Sequence, residues 1–128
     1  VLADTQELAH FWNHLGTAGA QIVSVVAQDD SDQGQGMEIL FLNSNVSIGT
    51  ENSAVTVSDT NSASIIGRVS VAAGDWYDNG GSRVASVHNV GLLVAPAAST
   101  SMFIAAVSRG TGTYGAAALR LKIGAYFP

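Results

Sequence analysis

The chain has 128 residues, enough for one domain with a real core and too few for two. Of these, 47% are hydrophobic and only 12% charged, which excludes a disordered chain and leaves a surface built largely from Ser, Thr, Asn, Gly and Ala, suited to packing against other protein. The net charge of −5, with Arg68, Arg83, Arg109, Arg120 and Lys122 scattered along the chain, argues against a nucleic-acid partner, and the lack of cysteine removes disulfides, Cys-ligated zinc and thiol catalysis.

Taken in order, residues 1–19 read as an N-terminal arm or short helix ahead of a single domain at 20–128. Leu8, Phe11, Trp12 and Leu15 fit a turn and a half of amphipathic helix, a short strand, or an arm that packs on a neighbour. Ile22, Val23, Val25 and Val26 predict a short β-branched strand, and residues 29–36 a polar turn. Met37 to Leu42 is apolar on both faces, as a buried strand requires. A loop over 43–52 and a short strand at 54–57 come next. Ser58 and Asp59 offer caps for one helical turn before a strand at 65–72.

Residues 74–81 form the longest exposed-loop signal, with Asn79-Gly80 favouring a tight turn. Arg83 to Val94 is a long strand whose Val84, Val90, Leu92 and Val94 share a face until Pro96 breaks it. Residues 101–108 are apolar on both faces, the mark of a central strand covered on two sides. After a turn at 110–115, Leu119, Leu121, Ile123, Ala125 and Phe127 alternate with Arg120, Lys122, Gly124 and Tyr126. The pattern predicts an all-β protein, a two-sheet β-sandwich of the jelly-roll kind.

Motifs of chemistry resolve into turns. Gly110 to Gly115 fits G-x-G-x-x-G, but the thirteen residues after it read as a strand, with no room for a dinucleotide-binding unit. His10 and His14 lack a third metal ligand, and Asp29, Asp30 and Asp32 lack the spacing of a calcium loop. No G-x-S-x-G elbow is present, and Glu38 and Glu51 form no obvious pair. The expectation is therefore no enzyme, no catalytic residue, no metal and no cofactor. No apolar run reaches the ~18–20 residues of a membrane helix, so no membrane partner is expected. Trp76 and Tyr77 stand out as aromatics in a Gly/Asp/Asn loop. They either stack on a sugar, anchor a protein contact, or fold back to cap the core.

Six segments, at 37–45, 49–59, 66–71, 87–94, 101–110 and 119–124, read MEILFLNSN, GTENSAVTVSD, IGRVSV, VHNVGLLV, SMFIAAVSRG and LRLKIG. This run of strands and turns resembles the small structural proteins of tailed bacteriophages encoded near the major capsid protein. The resemblance implies a virion protein that forms a homo-oligomer, a dimer or trimer, decorates the capsid exterior and cements the shell by binding the major capsid protein. Its expected contact residues are Leu8, Phe11, Trp12 and Leu15, removable with residues 1–16 without loss of the fold, and then Trp76 and Tyr77. The competing expectations are a tail or neck component, or a carbohydrate-binding sandwich using Trp76, Tyr77, Asp75 and Asp78.

Overall fold

The computed structural model describes residues 1–8, 19–94 and 101–127. Phe11, Trp12 and Leu15, together with His10, His14, Gly16 and Pro96, lie outside the described residues. In chain order the elements are β1 (Ala3–Leu8), β2 (Ala20–Asp29), β3 (Met37–Leu42), a helical turn α1 (Asp59–Ser62), β4 (Ile65–Val71), β5 (Trp76–Asp78), β6 (Arg83–Val94), β7 (Met102–Ser108) and β8 (Leu119–Tyr126). They form two four-stranded sheets, β1-β7-β3-β4 and β5-β6-β2-β8, with antiparallel pairing throughout. This is the expected two-sheet sandwich. A jelly roll is a rolled-up hairpin that pairs the first strand with the eighth, second with seventh, third with sixth and fourth with fifth. None of those pairs occurs among the described strands as numbered here, so the two-sheet sandwich is shown and the jelly-roll order is not.

The main core lies between the sheets. Ile22 and Val25 of β2 meet Met37, Ile39 and Phe41 of β3, all essentially sealed from solvent. Leu119, Leu121, Ile123, Ala125 and Phe127 close it from β8, on the face that the alternation predicts. At Gly67 the sheets come so close that a Cβ would run into the Leu92 side chain, so that position accepts only glycine without repacking.

Two irregularities redirect side chains. In β2, Ile22 and Ser24 lie opposite Ala125 and Gly124, which leaves Val23 as an extra residue. In β6, Leu92 faces Ile22 and His88 faces Ser24, so residues 89–91 stand against Val23 alone. Asn89 and Gly91 absorb the bend at φ +55° and +65°. The inward side of β6 therefore changes parity: Ala85 and Val87 before the bulge, Val90, Leu92 and Val94 after it. Val84 faces outward, contrary to the expected face.

β3 and β7 are apolar on both sides because they are covered on both sides. Outward from the first sheet, Leu40, Leu42, Phe103, Ala105 and Val107 form a second cluster with Ile48. Val46 and Val57 pack on it too, from the chain that crosses this face between β3 and α1. Residues 54–57 belong to that crossing and form no strand, since their valines are used to cover a sheet and not to extend one. Beyond it, Ser58 Oγ accepts a hydrogen bond from the Asn61 amide at 3.1 Å and starts the expected helical turn.

β1 secures the crossing. Asp4 accepts from the Ile48 amide at 2.8 Å and the Ser47 hydroxyl at 2.7 Å, and the Thr5 hydroxyl donates to the Val46 carbonyl. Leu8, half-buried opposite Met102, packs on the main core together with Leu2. Residues 3–8 are thus a sheet edge and a clamp, and deleting residues 1–16 removes a structural strand. Leu2 and Leu8 pack on the core and the backbone of β1 completes the first sheet, so a chain without residues 1–16 is expected to lose stability instead of keeping the fold unchanged.

Burial pushes the Asp4 carboxyl up, but the hydrogen bonds from Ser47, Ile48 and Thr5 outweigh it and hold its pKa below the usual carboxylate value. A depressed folded pKa contributes stability at pH values above the unfolded pKa of about 4 and loses it as pH falls through the folded value. Asp4→Ala is expected to cost about 1–3 kcal/mol at pH 7, with faster proteolysis between 43 and 58. In urea titrations the gap between variant and wild type should narrow below about pH 4. A gap independent of pH would show that the carboxylate is not the clamp.

Candidate interaction face

The two sheets have unlike exteriors. The first is sealed by its own chain. Among the described residues no segment crosses the second, and antiparallel register fixes which side chains share that surface. At one end, Gln21 lies between Leu93 and Tyr126; next, Ser24 lies between His88 and Gly124. Then Val26 lies between Ser86 and Lys122, and Gln28 between Val84 and Arg120, with Tyr77 beside Val84. Tyr77, Leu93 and Tyr126 are 76%, 75% and 60% exposed, and the bulge residue Val23 joins them at the Gln21 end. Sequence reasoning had Tyr126 on the outward set of β8. It missed Leu93, whose direction depends on the bulge at 89–91.

Trp76 and Tyr77 part company. Trp76 pairs with the inward Ala85, is buried, and donates its indole N–H to the Gln35 carbonyl at 3.0 Å. These residues form β5 instead of the exposed loop expected at 74–81, and the turn comes at Asn79, whose amide donates to the Ser82 carbonyl. The neighbouring acids are used internally. Asp75 accepts from the Ala72 amide, and Asp78 accepts from the Gly80 amide and pairs with Arg83. Of the four residues considered for sugar binding, Tyr77 alone is presented to solvent without such a commitment.

The acidic turn after β2 is likewise self-satisfied. The buried Asp29 carboxylate accepts from the Ser31, Gln33 and Gly34 amides at 2.8–2.9 Å, while Asp32 accepts from Arg83 Nε at 2.7 Å. The 109–118 loop docks on this turn through Gly115 N–H to Ser31 Oγ and Thr113 N–H to Gln33 Oε1. Gly112 permits the approach, since a Cβ there would sit 2.7 Å from Gln35 Cγ. The next element is the strand β8, so the glycines of 110–115 serve a turn. The Tyr114 hydroxyl is enclosed beside Asp29 and the Gln35 backbone without a well-formed hydrogen bond, and burial, with the Asp29 charge adding to it, raises its pKa.

Among the described residues no three His, Cys, Asp or Glu side chains converge as metal ligands. His88 Nε2 lies 3.1 Å from Ser86 Oγ on the open face, a serine–imidazole contact on a flat exposed strand. A cleft of about 470 Å³ opens between the edge strands β1 and β8, lined among the described residues by Leu2, Gln6 and Leu119, with Glu51 as a charged group in it.

The basic residues are nearly all engaged by the chain's own acids. Arg109 and Arg68 pair with Glu38 at 2.8 and 3.4 Å, Arg83 with Asp32 and Asp78, and Arg120 with Asp30 at 3.2 Å. The Arg109 hydrogen bond, opposed by burial and helped by Arg68, holds Glu38 below the usual carboxylate pKa. Lys122 has no ion-pair partner among the described residues. No protein-family model, curated protein or solved structure matches the chain.

Proposed function

We propose that this chain is a structural protein of a tailed-bacteriophage head that binds the capsid exterior and cements the shell by bridging subunits of the major capsid protein. The observation that carries the reading is the inequality of the two outer faces. One is sealed by the 43–58 crossing, and the other is a four-stranded surface that no described segment crosses, with large exposed side chains at both ends. Exposed apolar groups gathered on one face mark a surface that meets another protein. The strand-and-turn pattern over roughly residues 20–127, with its resemblance to phage structural proteins, supports the head as the place.

The mechanism is binding. Each copy adds interface that must be broken before shell subunits separate, so the assembled state gains stability by mass action and by many weak contacts acting together. Copies related by the shell's symmetry would also touch one another, giving a homo-oligomer on the particle.

The test is a count of copies in purified particles by gel densitometry against the most abundant shell protein. The expected ratio is one per shell subunit or a simple fraction of it. A handful of copies would move the protein to the tail or neck. Its absence from particles would end the virion reading and bring forward a sugar site at Tyr77.

A further inference from the structure

Building on the head-binding reading, we infer that the outer face of the β5-β6-β2-β8 sheet docks on an acidic patch of the shell subunit, with Lys122 meeting a carboxylate there and Leu93 and Tyr126 seated in apolar recesses beside it. The chain carries a net charge of −5, yet the outward positions of β2, β6 and β8 hold Arg120, Lys122 and His88, while the Asp30 carboxylate that reaches this side from the end of β2 accepts from Gln28 Nε2 at 2.7 Å and pairs with Arg120. Arg120 and Asp30 cancel, so the charge left over on this face is that of Lys122, opposite in sign to the molecule that bears it. Four of the five basic residues are neutralised by the chain's own acids. The fifth, Lys122, has no ion-pair partner among the described residues and stands midway along the edge strand β8, on its outward side.

An exposed ammonium costs nothing in water. Covered by a partner without a counter-charge it costs heavily, so whatever covers this face must bring an acid to it. The same charges argue against a second copy as the occupant. A two-fold pairing of this face with itself would cover two Lys122 ammonium groups and bring no unpaired carboxylate from the face to meet them. The apolar part sits at one end, where Leu93 and Tyr126 flank Gln21 and Val23 adjoins them. That is the arrangement of an aromatic and aliphatic anchor with a charged neighbour.

The ten residues of β2 run about 33 Å, and four strands span roughly 19 Å, so the face offers about 600 Å². This lies below the roughly 800 Å² per partner of a standard stable interface. A single contact of that size is weak, which suits attachment in many copies over a shell.

The experiment is a binding titration onto particles of the encoding phage that lack the protein. It uses the full chain, Lys122→Glu, the double variant Leu93→Ser/Tyr126→Ser, and Glu51→Lys, a charge change of the opposite sign on the 43–58 crossing. All four substituted positions are exposed, and an unchanged melting temperature confirms each fold before binding is read. Lys122→Glu is expected to weaken binding about tenfold, by less at high salt, and the double variant about thirty-fold. Glu51→Lys should stay within about twofold of wild type. Wild-type binding that both face variants match would overturn the inference and leave the head reading standing. Face variants that change only the self-association of the free protein, seen by sedimentation, would assign the face to a second copy and also overturn it. Failure of the wild type to bind at all would overturn both.

Discussion

Trp76→Ala is expected to lose about 3–5 kcal/mol of unfolding free energy, while Tyr77→Ala, one residue along, should lose under about 0.5 kcal/mol. The difference comes from register alone. Trp76 stands opposite Ala85 on the inner side of the second sheet, where its ring packs on the main core and its N–H is satisfied by Gln35. Truncation removes the ring, leaves a cavity, and strands the Gln35 carbonyl. Tyr77 pairs with Val84 on the outer side and is 76% exposed. Urea unfolding of the two variants, with m compared as well as the midpoint, checks the pair directly. Equal stability would mean that Trp76 is not a core residue. The result also decides how a glycan screen is to be designed. Loss of binding in Trp76→Ala would report unfolding, and Tyr77→Ala is the substitution that isolates stacking.

Asp29→Ala is expected to cost about 2–4 kcal/mol, because it leaves three backbone N–H groups without the acceptor around which their turn is folded. The carboxylate is fully buried and takes the Ser31, Gln33 and Gly34 amides together. Arg83 then holds the same turn from outside through Asp32, and the 109–118 loop rests on it through Ser31 and Gln33. Loosening the turn should therefore loosen both loops. Amide hydrogen exchange would show it as lost protection at Ser31, Gln33 and Gly34 and also at Thr113 and Gly115, which are distant in sequence. Asp29→Asn should fall between wild type and Ala, since the amide keeps one acceptor oxygen and turns an NH2 toward the donors. Protection lost at 31–34 alone would mean that the two loops are not coupled.

Much of the fold can be read from residue order because its causes are local. Leu119 to Phe127 alternates with period two, and that face closes the core. Residues 37–42 and 101–108 are apolar on both faces, and both strands are covered twice. Ser58 and Asp59 mark a helical turn through a hydrogen bond spanning three residues. None of these depends on knowing what lies across the sheet.

What only the tertiary structure decided are the matters set by long-range partners. The second cover of β3 and β7 is the protein's own 43–58 crossing, whose valines resemble a strand in composition but are spent on covering one, tied down by Asp4 some forty residues earlier. Leu93 faces solvent, and Val84 leaves the core face, because three residues of β6 stand against Val23 of β2, a mismatch invisible in either strand alone. Trp76 and Tyr77 are alike in composition and are separated into core and surface by a single step of register. The open face with Lys122 on its edge strand also arises this way, since a residue's partners are known only when the strands beside it are. Periodicity is a property of one segment. Register, bulges and the choice of what covers a sheet are properties of two or more, and they belong to the folded chain.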